Sequence, residues 1–414
     1  MATNSTKYRW KEGAKLDDHT KKKHEILGEY FRQYLITRCK IAQQERFRLA
    51  VVDGFCGGGL YQCGSYGSPI IFINGLVTTA NEINIRRAGL GMKPVAIECL
   101  LLLNDMEQET IEEVQRNAAP HIAAAQESAP LLRLKVEYFC QPFELAYHTF
   151  KQRLLREKVG NVIFNLDPCG YKHVTTRTII DIMQSWRKAE ILLTFMIQTI
   201  LTYLSQDSEK SRVPLEPAVQ EQINAIQEDQ GLLHKKEWLG VAEKIVFQYL
   251  RGCASFVSPF SIKNPDGWQY WLMHFSNFYR ARQVYNNILH ADQQTQAHYG
   301  RSGLNMLAYT ADSRDAQLYL FDNNSREYAV DALHSDIPRF ISDAGDSLTV
   351  ADFYRAAYSE TPAHSDDINR VIIDSPDIDV FTKSGGKRRQ ASSIQIDDTL
   401  KLKPQRSFHF GTHR

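Results

Sequence analysis

The hydrophobic pattern changes period repeatedly along the chain. From Thr20 to Arg46 the apolar positions Ile26, Leu27, Tyr30, Phe31, Tyr34, Leu35 and Ile41 recur at the spacing of one helix face, behind a polar N-terminal arm. Leu49-Ala-Val-Val-Asp53 is a strand-length apolar run that breaks into Gly-Phe-Cys-Gly-Gly-Gly. Residues 69–90 read as a helix. Val95–Leu103 is a second strand, followed by acids and a helix through Asn117. Leu134–Gln141 alternates as a third strand, with a helix over Ala146–Glu157. Asn161–Asp167 is a fourth strand, Thr178–Trp186 a helix and Ile191–Met196 a fifth strand. A polar, Gln/Glu-rich stretch near 205–240 reads as a helical insertion. Trp268–Ser276 and Asn277–Leu289 supply a last strand and helix.

Strands alternating with helices at this spacing predict an α/β fold with a doubly wound, Rossmann-like parallel sheet covered on both faces. The expected organisation is a helical arm over 1–46, the sheet domain over 47–300 and a linker over 301–345 with one short strand, Gln317–Phe321. A winged-helix-like module with a basic tail follows over 346–414. It contains a helix from Thr349, a turn at Glu360–His364, a helix near Asp366–Ile373, and a hairpin of 377–382 with 388–395 turned at Ser384-Gly-Gly386.

Composition changes this picture little. The chain is 43% hydrophobic and 23% charged with a net charge of +1, so nothing global demands a membrane or nucleic-acid partner. The charge is uneven, however. Residues 1–48 hold 12 Lys/Arg against 6 Asp/Glu, residues 331–380 hold 3 against 11, and residues 383–414 hold 8 against 2. The basic ends suit either phosphate contact or solvation. Seven cysteines without a CxxC pair indicate free thiols in a reducing compartment. With no apolar signal core at the N-terminus, the expected location is cytoplasmic.

In parallel sheets the chemistry collects at the carboxyl ends of the strands. Four ends here carry distinctive groups: Asp53 with its glycines, Asn104-Asp105-Met-Glu107, Gln141-Pro-Phe143 and Asp167-Pro. The first, Asp53-Gly-Phe55-Cys-Gly57-Gly-Gly59, lacks the Lys-Ser/Thr of a phosphate-binding loop and fits GxGxxG imperfectly. It suits a sulfonium nucleoside: Asp53 faces the positive end, while Gly57 and Gly59 admit the ligand where a Cβ would not fit. A plain glycine turn is the alternative. Asp105 or Glu107 can accept from two ribose hydroxyls, although acids there also cap a helix. Gln141 can read an adenine edge and Phe143 pack on its face. In Asn165-Leu-Asp-Pro-Cys-Gly-Tyr171 the proline keeps Asp167 extended, so that it can accept from a substrate amine while Tyr171 stacks on a planar target. An N-capping aspartate is the structural alternative.

Other chemistries fail. Cys169 with Lys172-His173 lacks the second cysteine pair of a zinc deaminase, no GxSxG or HExxH occurs, and Glu98 lacks the lysine of an ExK nuclease. His148, His274 and His290 read as structural residues, and no metal site is expected.

Taken together, VVDGFCGGG, LLLLNDMEQ, CQPF and NLDPCGY resemble the Rossmann-like class I methyltransferases. The fourth motif departs from Asn/Asp-Pro-Pro-Tyr and looks more like the Asp-Pro-x-Gly variant of some RNA-methylating enzymes. The opening His19-Thr-Lys-Lys-Lys-His-Glu-Ile-Leu27, Asp53-Gly-Phe-Cys-Gly57, Gly64-Ser-Tyr-Gly-Ser-Pro69, Asp167-Pro-Cys-Gly170 and Tyr270-Trp-Leu-Met-His-Phe-Ser276 are similar to the three-Cys-motif partner (TcmP) family. That resemblance implies S-adenosyl-L-methionine as cofactor and a three-Cys-motif, radical-SAM-like protein as partner, with DNA or RNA as target, in a bacterial mobile-element or defence system. It leaves open a non-catalytic adaptor that presents substrate to its partner enzyme, and a winged-helix DNA-binding regulator.

Overall fold

The computed structural model describes residues 10–168, 174–195, 246–258, 261–263, 269–291, 297–299, 303–304, 318–320, 323–361 and 363–404. The insertion expected near 205–240, Tyr171 and residues 405–414 of the basic tail lie outside the described residues. The chain divides into two compact units, Met1–Gln296 and Ala297–Arg414.

In the first unit the elements are α1 (Asp18–Arg38), β1 (Arg46–Asp53), α2 (Ser68–Gly89), β2 (Ala96–Asp105), α3 (Gln108–Ser128), β3 (Leu132–Cys140), α4 (Phe143–Arg156), β4 (Asn161–Leu166), α5 (Thr176–Ser185), β5 (Lys188–Phe195), β6 (Phe256–Ser258), β7 (Ser261–Lys263), β8 (Gln269–Ser276) and α6 (Tyr279–Ala291). The strand order is β3-β2-β1-β4-β5-β8-β6, with β7 also on β8. β1 to β5 run parallel, and β8 is antiparallel to β5, β6 and β7. This is a doubly wound, Rossmann-like α/β sheet. Its order reverses between β1 and β4, where such sheets open a crevice at their carboxyl ends.

The continuous apolar runs follow from burial on both faces: Leu49 to Val52 on β1 and Leu101 to Leu103 on β2 are 0% exposed. Asp17 caps α1 by accepting from the Thr20 N–H at 2.7 Å. A buried polar knot holds α1 on the sheet, with the Tyr30 hydroxyl bonded to Glu190 of β5 and 2.9 Å from His274 Nε2 of β8. α3 outruns its expected end at Asn117. It continues past Pro120 to Ser128 because Ala118 and Ala125 still face the core, and that packing outweighs one missing backbone donor.

In the second unit β9 (Ala297–Tyr299) pairs antiparallel with β10 (Leu318–Leu320). Then come α7 (Asn323–Asp343), β11 (Ser347–Thr349), α8 (Val350–Ala357), α9 (Ser365–Asp374), β12 (Ile378–Phe381) and β13 (Thr399–Leu402), with the sheet ordered β11-β13-β12. A helix, a strand, two helices and a two-stranded wing form a winged helix. Two expectations are corrected here. The stretch 301–345, read as a linker, contains the 21-residue helix α7, whose Leu333, Ile337 and Ile341 are 0% exposed. The strand returning from the wing is Thr399–Leu402 rather than 388–395. Arg388 is held instead to Asp398 by two hydrogen bonds of 2.9 and 3.1 Å, which folds the intervening segment into a loop.

Among the described residues no helix is long and apolar enough to cross a membrane.

One buried cation organises the amino edge of the sheet domain. Arg87 on α2 is 3% exposed and donates to the carbonyls of Lys93, Cys39, Ile41, Ala42 and Gln44 at 2.7 to 3.0 Å. Arg87→Met leaves those carbonyls unpaired and removes a fully used guanidinium. It is expected to destabilise the first unit by about 3 kcal/mol, read as a lowered urea midpoint; an unchanged midpoint would contradict this account.

Candidate functional site

The register brings the predicted strand ends together. Asp53 pairs with Leu103 on β2 and Asn165 on β4, and Asp105 pairs with Cys140 on β3. Two buried asparagines stitch this rim. Asn165 Nδ2 donates to Asp53 Oδ1 at 3.0 Å, and Asn104 Nδ2 donates to the carbonyls of Gly54 and Gln141, each at 3.0 Å. The loop after β1 is tied down by the Gly54 N–H on Asn165 O (2.9 Å) and the Cys56 N–H on Asn104 O (2.8 Å). Gly57 and Gly59 have φ of +59° and +80°, a region that penalises any side chain.

The three rim carboxylates sit in different environments. Asp53 is fully buried. Burial pushes its carboxyl up to about 7, against the pull of hydrogen bonds from Ser68, Asn165 and the Phe55 N–H, and the nearby charge of Asp167 adds to the rise. Asp105 is half-buried and accepts from the Gly57 N–H (3.3 Å) and the Glu107 N–H (3.1 Å). Burial raises it too, while those backbone donors oppose the rise. Asp167 follows β4 directly and takes both its oxygens to Lys23 Nζ, at 2.8 and 2.7 Å. Burial pushes Asp167 up, but the Lys23 ammonium, with smaller pulls from the Thr194 hydroxyl and His24, outweighs it. The group is held below the ordinary carboxylate range.

The N-terminal segment completes the site. Gln62 N–H donates to Ala14 O at 2.9 Å, bringing the short 3-10 turn Trp10–Glu12 over the glycine loop. A Cβ on Gly57 would fall 2.4 Å from the Trp10 indole, and one on Gly58 2.8 Å from it. The indole also lies 5.0 Å from the Tyr61 ring. Further along, α1 presents Lys23 and His24 to a pocket shared with Ser68, Asn165, Asp167 and Thr194. Burial lowers His24 to about 4, so its imidazole is neutral at pH 7.

Asp53, Gly57, Asp105 and Asp167 therefore converge, and Gln141 and Glu107 stand exposed on the same rim. Three residues sit differently from expectation. Phe143 is 3% exposed and its ring packs beneath Gly54, where a Cβ would meet it at 2.7 Å, so its face is spent on the core. Phe55 lies half-buried 5.4 Å from the Phe143 ring. Gly59 turns inward against Val114 and Ile70, and its carbonyl takes the Gly67 N–H at 2.8 Å. Its glycine serves loop closure. Sequence reasoning missed Lys23, His24 and Thr194, and placed Asn104 on the rim without giving it a role. For Lys23 a signal existed: it shares a helix face with Ile26, Leu27 and Tyr30, where a cation calls for a partner.

An adenosine-bearing sulfonium fits these donors and acceptors. A half-buried carboxylate stands at the end of β2 for ribose hydroxyls, a buried acid of intermediate charge at the end of β1, and a side-chain-free backbone between them. The outer face over Gly57 and Gly58 is filled by Trp10.

Residues 309–385 match the GMT-like wHTH domain family, in agreement with the winged helix described above. No curated protein is similar to the chain. Among solved structures, a Clostridium thermocellum protein provisionally named an rRNA-methylase aligns over 59% of this chain and 94% of its own, at 10% identity and a TM-score of 0.23.

Because the folded state raises the Asp53 pKa, its contribution to stability is fully present below the unfolded value near 3.8 and is lost as pH rises through about 7. Asp53→Asn removes that loss. The variant is expected to be more stable than the parent at pH 8, by up to about 4 kcal/mol, and to show no such advantage at pH 4. Melting temperatures at the two pH values check this, and an advantage that does not depend on pH would refute it.

Proposed function

We propose that the first unit binds S-adenosyl-L-methionine at the carboxyl rim between β1 and β4 and acts as a methyltransferase. In this reading the winged-helix unit engages nucleic acid or a partner protein. The observation that carries the proposal is the convergence of Asp53, Asp105 and Asp167 at the point where the strand order reverses. Asp105, with Glu107 beside it, would accept from the ribose hydroxyls, and Gln141 would meet the adenine edge. Asp53 would be held ionised by the positive end of the ligand. When bound, the cofactor supplies an activated methyl group. The chain's own work is then positioning, for which pre-paid orientation is the main source of rate.

The TcmP-like motifs support a three-Cys-motif, radical-SAM-like protein as partner in a bacterial mobile-element or defence system. One observation favours the second reading, an adaptor that presents substrate without catalysis: the chain's own Trp10 covers the backbone of Gly57 and Gly58. For the regulator reading, α9 would be the groove-entering helix. Its charged groups are Asp366, Asp367, Arg370 and Asp374, whereas the exposed cations Lys383 and Arg389 stand on the wing. Phosphates would meet the wing first.

Calorimetric titration of the full chain with S-adenosyl-L-methionine tests the cofactor. Asp105→Ala is expected to weaken binding about 10- to 100-fold, through loss of charge-assisted hydrogen bonds. Transfer of labelled methyl to mixed DNA and RNA tests the enzyme, with Asp167→Ala as the inactive control. Cofactor binding without transfer to any acceptor would favour the adaptor, and no binding would overturn the proposal.

A further inference from the structure

We infer that the turn Trp10–Glu12 is a strap closed over the cofactor crevice, seated by the Trp10 indole on the Gly57–Gly58 backbone, and that S-adenosyl-L-methionine enters by displacing it. The inference rests on the proposed cofactor reading and adds how access to that same site is controlled.

As folded, the crevice is too small for its ligand. The cavity that Asp167 and Asn165 share with Lys23, His24, Ser68 and Thr194 is about 20 Å³, room for one water. Sites for ligands of this size enclose roughly 300 Å³ or more. The other space along the rim is the trough that the glycines leave beside the loop after β1, and the indole fills it. A Cβ on Gly57 or Gly58 would collide with the ring. The surface that a side-chain-free loop offers to a ligand is thus taken by a side chain of the same chain. The closed state also leaves the rim incompletely satisfied: Asn104 Oδ1 is buried there with no hydrogen-bond partner among the described residues.

Something must move, and the contacts single out the turn. α1 is fixed by the Lys23–Asp167 pair, by two Arg32–Glu82 hydrogen bonds of 2.9 and 2.6 Å, and by the buried Tyr30 knot. The turn stands outside that framework. Residues 13–17, which join it to α1, form no helix or strand, and Asp17 caps α1 behind them. Gly13 holds φ +87°, a reversal that a side chain would strain. Trp10 is half-buried, with its ring 5.0 Å from that of Tyr61, and the Gln62 N–H on Ala14 O secures the tether. The turn can swing on residues 13–17 while α1 and its cap stay in place. Burial of the indole holds the strap shut, and the ligand opens it by taking over the same backbone.

A strap closed about nine-tenths of the time lowers apparent affinity about tenfold. Calorimetry of the full chain with S-adenosyl-L-methionine compares the parent with Trp10→Ala, which removes the seat, and Gly13→Ala, which strains the closed turn away from the glycine loop. Trp10→Ala is expected to bind about tenfold tighter than the parent and Gly13→Ala about threefold tighter. Binding by Trp10→Ala that is equal to or weaker than the parent's overturns the inference and leaves the cofactor reading standing. No binding by the parent or either variant overturns both. The position of the ring is read independently from tryptophan emission, as the difference between the parent and Trp10→Phe. On saturation with cofactor that difference spectrum is expected to move to longer wavelength as the indole leaves its seat for water. Bound cofactor with the difference spectrum unmoved overturns the inference and makes Trp10 a fixed cover.

Discussion

The carboxylate at the end of β4 is held by a lysine 144 residues earlier in the chain, and the crevice is organised around that tie. A free aspartate on a buried rim beside Asp53 would meet strong like-charge repulsion, and one of the two would be protonated. With Lys23 opposite, Asp167 carries the charge, while burial, helped by the charge of Asp167, lifts the Asp53 carboxyl to about 7. Because Lys23 sits on α1, the pair also fixes the helix against the strand ends. The Tyr30, Glu190 and His274 knot then anchors the same helix about two turns further along. The position of α1 and the ionisation of the site are therefore one problem with one solution.

Three carboxylates at three strand ends thus acquire three characters from their surroundings alone. Asp53 has no exposed surface and neutral donors. Asp105 has backbone donors and partial access to water, and Asp167 has a full ammonium. Nothing in the residue type separates them. For that reason the strand ends were legible in the sequence as candidates while their roles were not. Periodicity located β1, β2, β4 and β5 because a strand covered on both faces must be apolar throughout, and the edge strand β3 by its alternation; the polar residues that end the β1, β2 and β4 runs mark the rim.

What escaped the sequence did so for identifiable reasons. Lys23 and Trp10 act across distances in the chain that no local pattern spans, and His24 looked like one more polar residue in a basic run. Phe143 sat in the right loop, but the missing Cβ of Gly54 lets the ring drop beneath the backbone instead of standing over it. In the second unit α7 was read as linker although Leu333, Ile337 and Ile341 share the face that it buries. The polar residues between them, with Pro338, hid a helix whose stability comes from packing rather than propensity.

The wing shows the same competition between local and distant signals. Ser384-Gly-Gly386 turns as its composition requires, with Gly385 at φ +86° and the Thr382 N–H bonded to Gly386 O. A short hairpin would continue from there if the strands alone decided. Instead the Arg388 guanidinium finds the 2%-exposed Asp398, and the Gln395 N–H joins the same carboxylate at 2.7 Å. A buried carboxylate with two partners outweighs a few edge hydrogen bonds. The ladder resumes only at Thr399, where Leu400 closes the core. The loop left over carries Lys383 and Arg389 outward, so the ion pair that spoils the simple hairpin also creates the module's exposed basic edge.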